Sequence, residues 1–279
     1  MLEGTFCHLP GIGLKTERRL WAAGYGHWRD LLQALEAGAS PFRCGARVRE
    51  GLEESLHSHQ RGDADFFAQR LPRDQIWRLF PAYREQAAYV DIETTGLGRG
   101  LDHITSIALY DGRRVATYVH GVNLERFEDD IGEYRMVVTF NGSRFDLPFL
   151  RQQLRPNLPL AHIDLCFLLK SVGVSGGLKR CEDRFGLGRC ELGGVDGYAA
   201  VLLWQAFEAT GRREILETLL AYNVQDVLSL EVLGHLAYNM KLEQIGAGLT
   251  RLEVPPISGN PYRADAEVLR ELGFGGDQG

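Results

Sequence analysis

Between residues 87 and 93 the chain runs Ala87-Ala88-Tyr89-Val90-Asp91-Ile92-Glu93, an apolar strand that carries two carboxylates at positions i and i+2. On a strand those two positions share a face, so Asp91 and Glu93 project together while Val90 and Ile92 turn the other way into apolar packing. Two carboxylates side by side repel and raise each other's pKa. A cation between them removes the conflict; a solvated strand end is the other way such a pair is tolerated, and an Asp-x-Glu pair alone fits both.

The pattern around this strand sets the fold class. His103 to Leu109 and Arg114 to Val119 read as two more strands, joined at the hairpin turn Asp111-Gly112. Leu124 to Ile131 reads as a helix, and Arg135 to Phe140 as a fourth strand closed by the Asn141-Gly142 turn. A helix over Leu147 to Leu154 tolerates Pro148 in its first turn. His162 to Leu165 is a fifth strand, and the chain to Asn239 is mostly helical. A hairpin followed by alternating strands and helices predicts an α/β fold, a mixed sheet covered by helices. The chain before it reads as helical instead: Thr16 to Ala23, Trp28 to Ala37, Ala46 to Leu56 and Ala64 to Leu71, with the two-proline segment Pro72 to Arg84 as a connector. This gives a small all-helical domain over 1–82, an α/β domain over 83–245 and a tail over 246–279. The tail has no interpretable motif, and Gly273 to Gly279 is expected to fray.

Two further acids join the first pair. Around Asp226, Leu219, Leu230 and Leu233 fall on one helical stripe, so Asp226 faces inward, with Tyr222 one turn before it. A carboxylate on a packed face needs a metal or a buried Arg or Lys to compensate it. Asp146 follows the strand and turn Val137 to Gly142 and stands at the start of the next helix, where an acid also serves as a cap or dipole partner. Together, four acids fall at a strand, a strand-to-helix turn and an inward helix face. Hard divalent ions prefer such oxygen ligands, and two ions about 4 Å apart can activate a water and stabilise the leaving oxygen of a phosphodiester.

The same residues resemble a known family. Tyr89 to Leu97 is similar to the first motif of the DEDD exonucleases. Thr139 to Leu150 resembles their second motif, with Asn141 and Asp146 spaced as in the proofreading domains of family-B DNA polymerases. Tyr222-Asn223-Val224-Gln225-Asp226 matches the third motif in its tyrosine form; the histidine form needs His at 221, where Ala221 stands. The likeness spans about residues 86–240 and is nearest to the YprB-like branch of the ribonuclease-H-like fold, which His162 to Leu165 and Gly177 to Arg180 also fit. The resemblance implies a 3′→5′ exonuclease in which Asp91, Glu93, Asp146 and Asp226 hold two Mg²⁺ or Mn²⁺ ions. Tyr222 would orient the attacking water, and 5′-mononucleotides would leave from a single-stranded or frayed DNA 3′ end. Thr94, Leu97 and Asn141 would contact nucleic acid, Leu97 as an apolar wedge on the terminal base. Lys179 or Arg180 could touch a phosphate or simply be solvated, and Asp164 is expected to be structural rather than a fifth ligand.

His8 to Trp21 resembles a helix-hairpin-helix element. Its Pro10-Gly11-Ile12-Gly13 turn would offer backbone N–H groups to a phosphate, with Lys15, Arg18 and Arg19 adding charge; a plain turn between packing helices fits as well. Trp21 and Trp28 are expected in the core.

Net charge is −6, divided as +1 over residues 1–85 and −7 over 86–279. That argues against coating nucleic acid by bulk attraction, but not against a nuclease whose bound cations face the phosphate. Five widely spaced cysteines without a Cys-x-x-Cys pair predict inert thiols in a reducing cytoplasm. No run of eighteen apolar residues predicts a membrane span, and no secretory signal is visible. Three rivals remain: an exoribonuclease, because the motifs do not separate the sugars, and a non-catalytic nucleic-acid binder or a protein adaptor on the same fold.

Overall fold

The computed structural model describes residues 1–38, 46–98, 100–188, 197–246 and 250–274. Five strands form one sheet: β1 (Ala87–Thr94), β2 (Ile104–Tyr110), β3 (Val115–Val119), β4 (Met136–Thr139) and β5 (His162–Asp164). Their spatial order is β3-β2-β1-β4-β5. β1 and β2 pair antiparallel, as do β2 and β3, whereas β4 runs parallel to β1 and β5 parallel to β4. The hairpin enters first and parallel crossovers follow, the mixed sheet that the sequence pattern predicts.

Twelve α-helices are found among the described residues, in chain order: α1 (Leu14–Ala22), α2 (Trp28–Glu36), α3 (Ala46–Gln60), α4 (Ala64–Ala68), α5 (Phe80–Tyr83), α6 (Arg126–Ile131), α7 (Asp146–Gln153), α8 (Leu165–Ser171), α9 (Leu178–Phe185), α10 (Gly197–Thr210), α11 (Arg213–Ile245) and α12 (Ala266–Glu271). The period of two along β1 divides its side chains between two cores. Ala88, Val90 and Ile92 join Ile107, Leu109 and Val137 against Phe127 and Ile131 of α6 and Leu147, Phe149 and Leu150 of α7. Ala87 and Tyr89 face the other way, with Tyr110, Met136, Val138 and Ile163, onto Val224, Val227, Leu230 and Leu233 of α11. At about 1.5 Å per residue the 33-residue α11 is roughly 50 Å long, enough to cross the whole sheet. Gly234 is what lets α11 approach its neighbour closely, because a Cβ there would sit 3.0 Å from the Phe80 ring.

The connector Pro72 to Arg84 is packed into the core. Residues Arg73–Leu79 form a 3₁₀ helix that runs into α5, and Trp77, Phe80 and Tyr83 are buried. Those three aromatics recur every third residue, the 3₁₀ period, so the two prolines redirect the chain without freeing it. Residues from both sides of position 82 share one apolar cluster, from Phe6, Trp28 and Phe67 to Tyr83, Ala87 and Tyr89. A buried ion pair reinforces it: Arg78 Nη1 donates to both carboxylate oxygens of Glu17, at 2.9 and 2.8 Å. Glu17 also accepts the backbone N–H groups of Phe6 and Cys7. Trp28 is buried and Trp21 half-buried, their indole N–H groups on the carbonyls of Thr5 and Gly4.

Ahead of the Pro10 to Gly13 turn the described residues make a single 3₁₀ turn, Leu2–Gly4, followed by further turns. The described part of the tail, residues 250–274, lies along α11. Asn239 and Leu252 exchange two hydrogen bonds, Ser258 meets Tyr110, Asn260 donates to the Ala221 carbonyl and Tyr262 meets Thr117. The remainder of the segment expected to fray, residues 275–279, lies outside the described residues, as do Cys44 and Cys190. Cys7 and Cys181 are buried and Cys166 half-buried, all as free thiols; burial pushes the Cys7 thiol up to about 12. No helix among the described residues is long and apolar enough to cross a membrane.

Candidate active site

Asp91 and Glu93 occupy the face of β1 opposite Val90 and Ile92, the face that α11 covers. Asp226 is presented by α11 itself. One carboxylate oxygen from each of Asp91, Glu93 and Asp226 lies within 4.8 Å of the others. Burial, first, drives the Asp91 carboxyl well above the usual carboxylate range, and the charges of Asp226, Asp146 and Glu93 drive it further. An acid held this way stays partly protonated until a cation replaces the proton.

Asp146 is buried at the first position of α7. It stands outside the tight trio, yet it is near enough to raise the Asp91 carboxyl. Its own carboxyl is pushed up to about 7 by burial, against hydrogen bonds from its own N–H and that of Ile92, with Asp164 and Asp226 adding repulsion. The turn that delivers it is tight. Asn141 takes φ +61°, a left-handed conformation that asparagine tolerates better than most residues. At Gly142 any Cβ would overlap the Thr139 side chain. Asp164 then fastens the turn: it accepts the N–H of Asn141 at 2.8 Å and both the N–H and the hydroxyl of Ser143 at 3.0 and 2.6 Å. It also caps α8 through Cys166 N–H.

One residue at the centre of this site carries no charge to reveal it in the sequence. Asn223 is fully buried on α11 and donates to Asp91 Oδ2 at 2.7 Å and to the Asp91 carbonyl at 3.2 Å. Ser106 of β2 donates to Asn223 Oδ1 at 3.1 Å, which fixes the amide's orientation. The Ser106–Asn223 relay thus holds Asp91 in place and lowers the cost of keeping it ionised. An asparagine within a helix gives no pattern from which this could be read; only the register of α11 over β1 places it there.

Tyr222 lies one turn before Asp226, buried against Val119, Leu203, Trp204 and Leu219. Thr94 is buried, its hydroxyl donating to the Gly96 carbonyl at 2.6 Å. Leu97 and Leu101 stand 84% and 94% exposed on the loop that leaves β1. Asp102 braces that loop by accepting Thr95 Oγ1 and Gly98 N–H, and Gln153 of α7 bonds Asp102 O and Ile104 N–H. Gly11 and Gly13 are exposed at the turn before α1, and Lys15 is exposed in the first turn of α1; Lys179 and Arg180 are exposed on α9.

A family model described as the RNase_H superfamily matches residues 88–238. The chain belongs to the RNase_H superfamily. Every acid named above falls within that span. Among solved structures, the family B DNA polymerase of the hyperthermophilic archaeon Pyrobaculum calidifontis is similar over 55% of this chain at 20% identity, with a TM-score of 0.35. This chain spans only 27% of the polymerase. Brucella melitensis NrnC is similar over 61% of this chain and 79% of its own, at 20% identity and a TM-score of 0.41. The Aedes aegypti Nibbler EXO domain is similar over 62% of this chain and 87% of its own, at 14% identity and a TM-score of 0.40. No curated protein sequence matches the chain.

The donor set suits hard divalent cations. It is all carboxylate, as Mg²⁺ and Mn²⁺ prefer, and it concentrates negative charge where burial already disfavours it.

Proposed function

We propose that this RNase_H-superfamily protein is a metal-dependent 3′→5′ exonuclease acting on single-stranded or frayed ends. The observation that carries the reading is the convergence of Asp91, Glu93 and Asp226 within 4.8 Å, with Asp146 buried beside them at the start of α7. A module that only binds a polyanion gains nothing from placing carboxylates where the phosphate must lie, whereas a site for two cations requires them. Asp91, Glu93, Asp146 and Asp226 would hold the pair of ions, which, when bound, supply an activated water and charge stabilisation at the leaving oxygen.

The residues of the chain do the rest. Asn223 and Ser106 hold Asp91 in one orientation, and Asp164 holds the turn that aims Asp146. Tyr222, on the same face of α11 as Asp226, would orient the water. Leu97 and Leu101, apolar and solvent-facing on the braced loop beside β1, suit the face of a terminal base. The direction of attack rests on the likeness of the three motifs to the DEDD exonucleases. The three motifs do not separate the two sugars, so DNA and RNA strands are both candidate substrates.

The test is digestion of 5′-labelled DNA and RNA single strands with Mn²⁺, repeated with a chelator and with Asp226→Ala. The expected result is a ladder that shortens from the 3′ end and vanishes in both controls. A ladder that survives either control removes the two-ion assignment, and shortening from the 5′ end removes the direction.

A further inference from the structure

One feature near the acids has no part in hydrolysis as described above. Both parallel strands, β4 and β5, end at the sheet edge where the acids gather, the edge at which ligands of open α/β sheets bind. β4 leads into the Asn141-to-Phe145 turn and β5 into α8. Asp164, at the junction of β5 and α8, ties the two together through Asn141 and Ser143. The tie places the guanidinium of Arg144 over the ring of Phe167, 4.9 Å from its centroid. On α8, Leu165, Leu168 and Leu169 are buried, but Phe167 is 41% exposed. An aromatic ring is thus held at the surface with a planar cation laid on it.

Cations stand among acids around it. The charges of Arg144 and Lys170 reach Cys166 behind that of Asp164, and those of Arg184 and Arg180 reach Cys181 behind those of Cys166 and Glu182. Lys170 and Arg180 are exposed. A polyanion with flat bases finds both of its complements in the exposed ring and the guanidinium laid on it. β5 stands two places from β1 in the sheet, roughly 10 Å away at the usual strand spacing. That is too far for the reacting nucleotide and suited to one upstream of it.

We propose that Arg144 and Phe167 form a stacking platform for an unpaired base upstream of the 3′-terminal nucleotide, with Lys170 and Arg180 beside its backbone. This rests on the exonuclease reading and narrows it. A base in a duplex is already stacked and paired, so the platform favours single strands. It grips a base and ignores the sugar, so it serves DNA and RNA alike.

The test is fluorescence anisotropy of the full-length chain in Mn²⁺ with a labelled single strand of about a dozen nucleotides. Phosphorothioate linkages at its 3′ end resist hydrolysis. Phe167→Ala is expected to weaken binding about tenfold, the range of one lost base–aromatic stack, and Phe167→Trp to restore it. Arg144→Lys keeps the charge but loses the plane, so it too should weaken binding severalfold. An abasic residue is then walked upstream from the 3′ end. At one position the wild type should lose affinity about tenfold and Phe167→Ala should lose no more. The platform is overturned if the wild type fails to bind, if Phe167→Ala binds as the wild type does, or if its deficit is the same at every abasic position. Hydrolysis of an unmodified strand is followed in parallel. Wild-type hydrolysis with no Phe167 effect sinks the platform alone; the abasic pattern without any hydrolysis sinks the nuclease reading alone.

Discussion

Replacing Asp226 by Asn should make the metal-free protein more stable while abolishing the stabilisation that divalent ions provide. The carboxylate oxygens of Asp91, Glu93 and Asp226 lie within 4.8 Å of one another. Two full charges at that separation repel by about 3.5 kcal/mol at an effective dielectric constant near 20, and Asp226 faces two such neighbours. The protein escapes part of this by protonation, because the Asp91 and Asp146 carboxyls are raised. The net relief on removing one charge is therefore about 1–3 kcal/mol near pH 8. The sign with pH follows from the same shifts. Between the ordinary carboxylate range and the raised values the folded state binds more protons than the unfolded one, so metal-free stability falls as pH rises through that window. Asp226→Asn should flatten that fall and give almost no gain near pH 5. Urea unfolding in EDTA at both pH values measures the difference. With Mn²⁺ at about a hundred times its Kd the wild type should gain about 2.7 kcal/mol, and the variant far less. A variant less stable than wild type in EDTA at both pH values, or one that keeps the full Mn²⁺ gain, would refute the reasoning.

Three other outcomes are expected. Glu17→Ala leaves the buried Arg78 guanidinium without its carboxylate and should lower the unfolding free energy by about 3–5 kcal/mol, with hydrolysis per folded molecule unchanged; a loss under about 1 kcal/mol contradicts the role given to this pair. Asn223→Leu removes the amide that holds Asp91 and should weaken Mn²⁺ binding by calorimetry about tenfold, the lower end of the effect of losing a ligand's hydrogen-bonding partner; unchanged affinity would show that the relay is packing only. Burial first, with the Arg70 charge, pushes the His8 imidazole down to about 3. It therefore folds neutral, and its contribution is complete above about pH 6.5 and lost as pH falls toward that lowered value. His8→Leu should accordingly flatten the acid limb of the stability profile, which urea titrations from about pH 4 to pH 7 would reveal.

The parts of the fold that were legible in the sequence are those with a simple period. The alternation along β1 assigns Asp91 and Glu93 to the face opposite Val90 and Ile92, and the structure shows the two cores that alternation demands. The Leu219, Leu230, Leu233 stripe likewise turns Asp226 toward the sheet. Prolines 72 and 81 misled because they break an α-helix, whereas the chain there follows a period of three through Trp77, Phe80 and Tyr83. The hairpin glycines at 11 and 13 mark the turn that leads into α1. The tail had no motif because it attaches through one short apolar face, Val268 and Leu269 packed with Ile215 and Leu219 of α11, and through scattered polar contacts: Asn239 with Leu252, Tyr110 with Ser258, Thr117 with Tyr262. Those depend on partners more than a hundred residues away in two of the three cases, and no local pattern encodes them. Asn223 escaped for the same reason, since its partners Asp91 and Ser106 are equally remote in sequence.

The central claim is that acids from β1, α7 and α11 share a pair of cations. Crystals of the full chain soaked in Mn²⁺ and measured for anomalous scattering put that to the most direct test. Two anomalous peaks are expected about 4 Å apart, both within bonding distance of Asp91 and divided among Glu93, Asp146 and Asp226. Peaks elsewhere, or none at a concentration that saturates binding in solution, would contradict it.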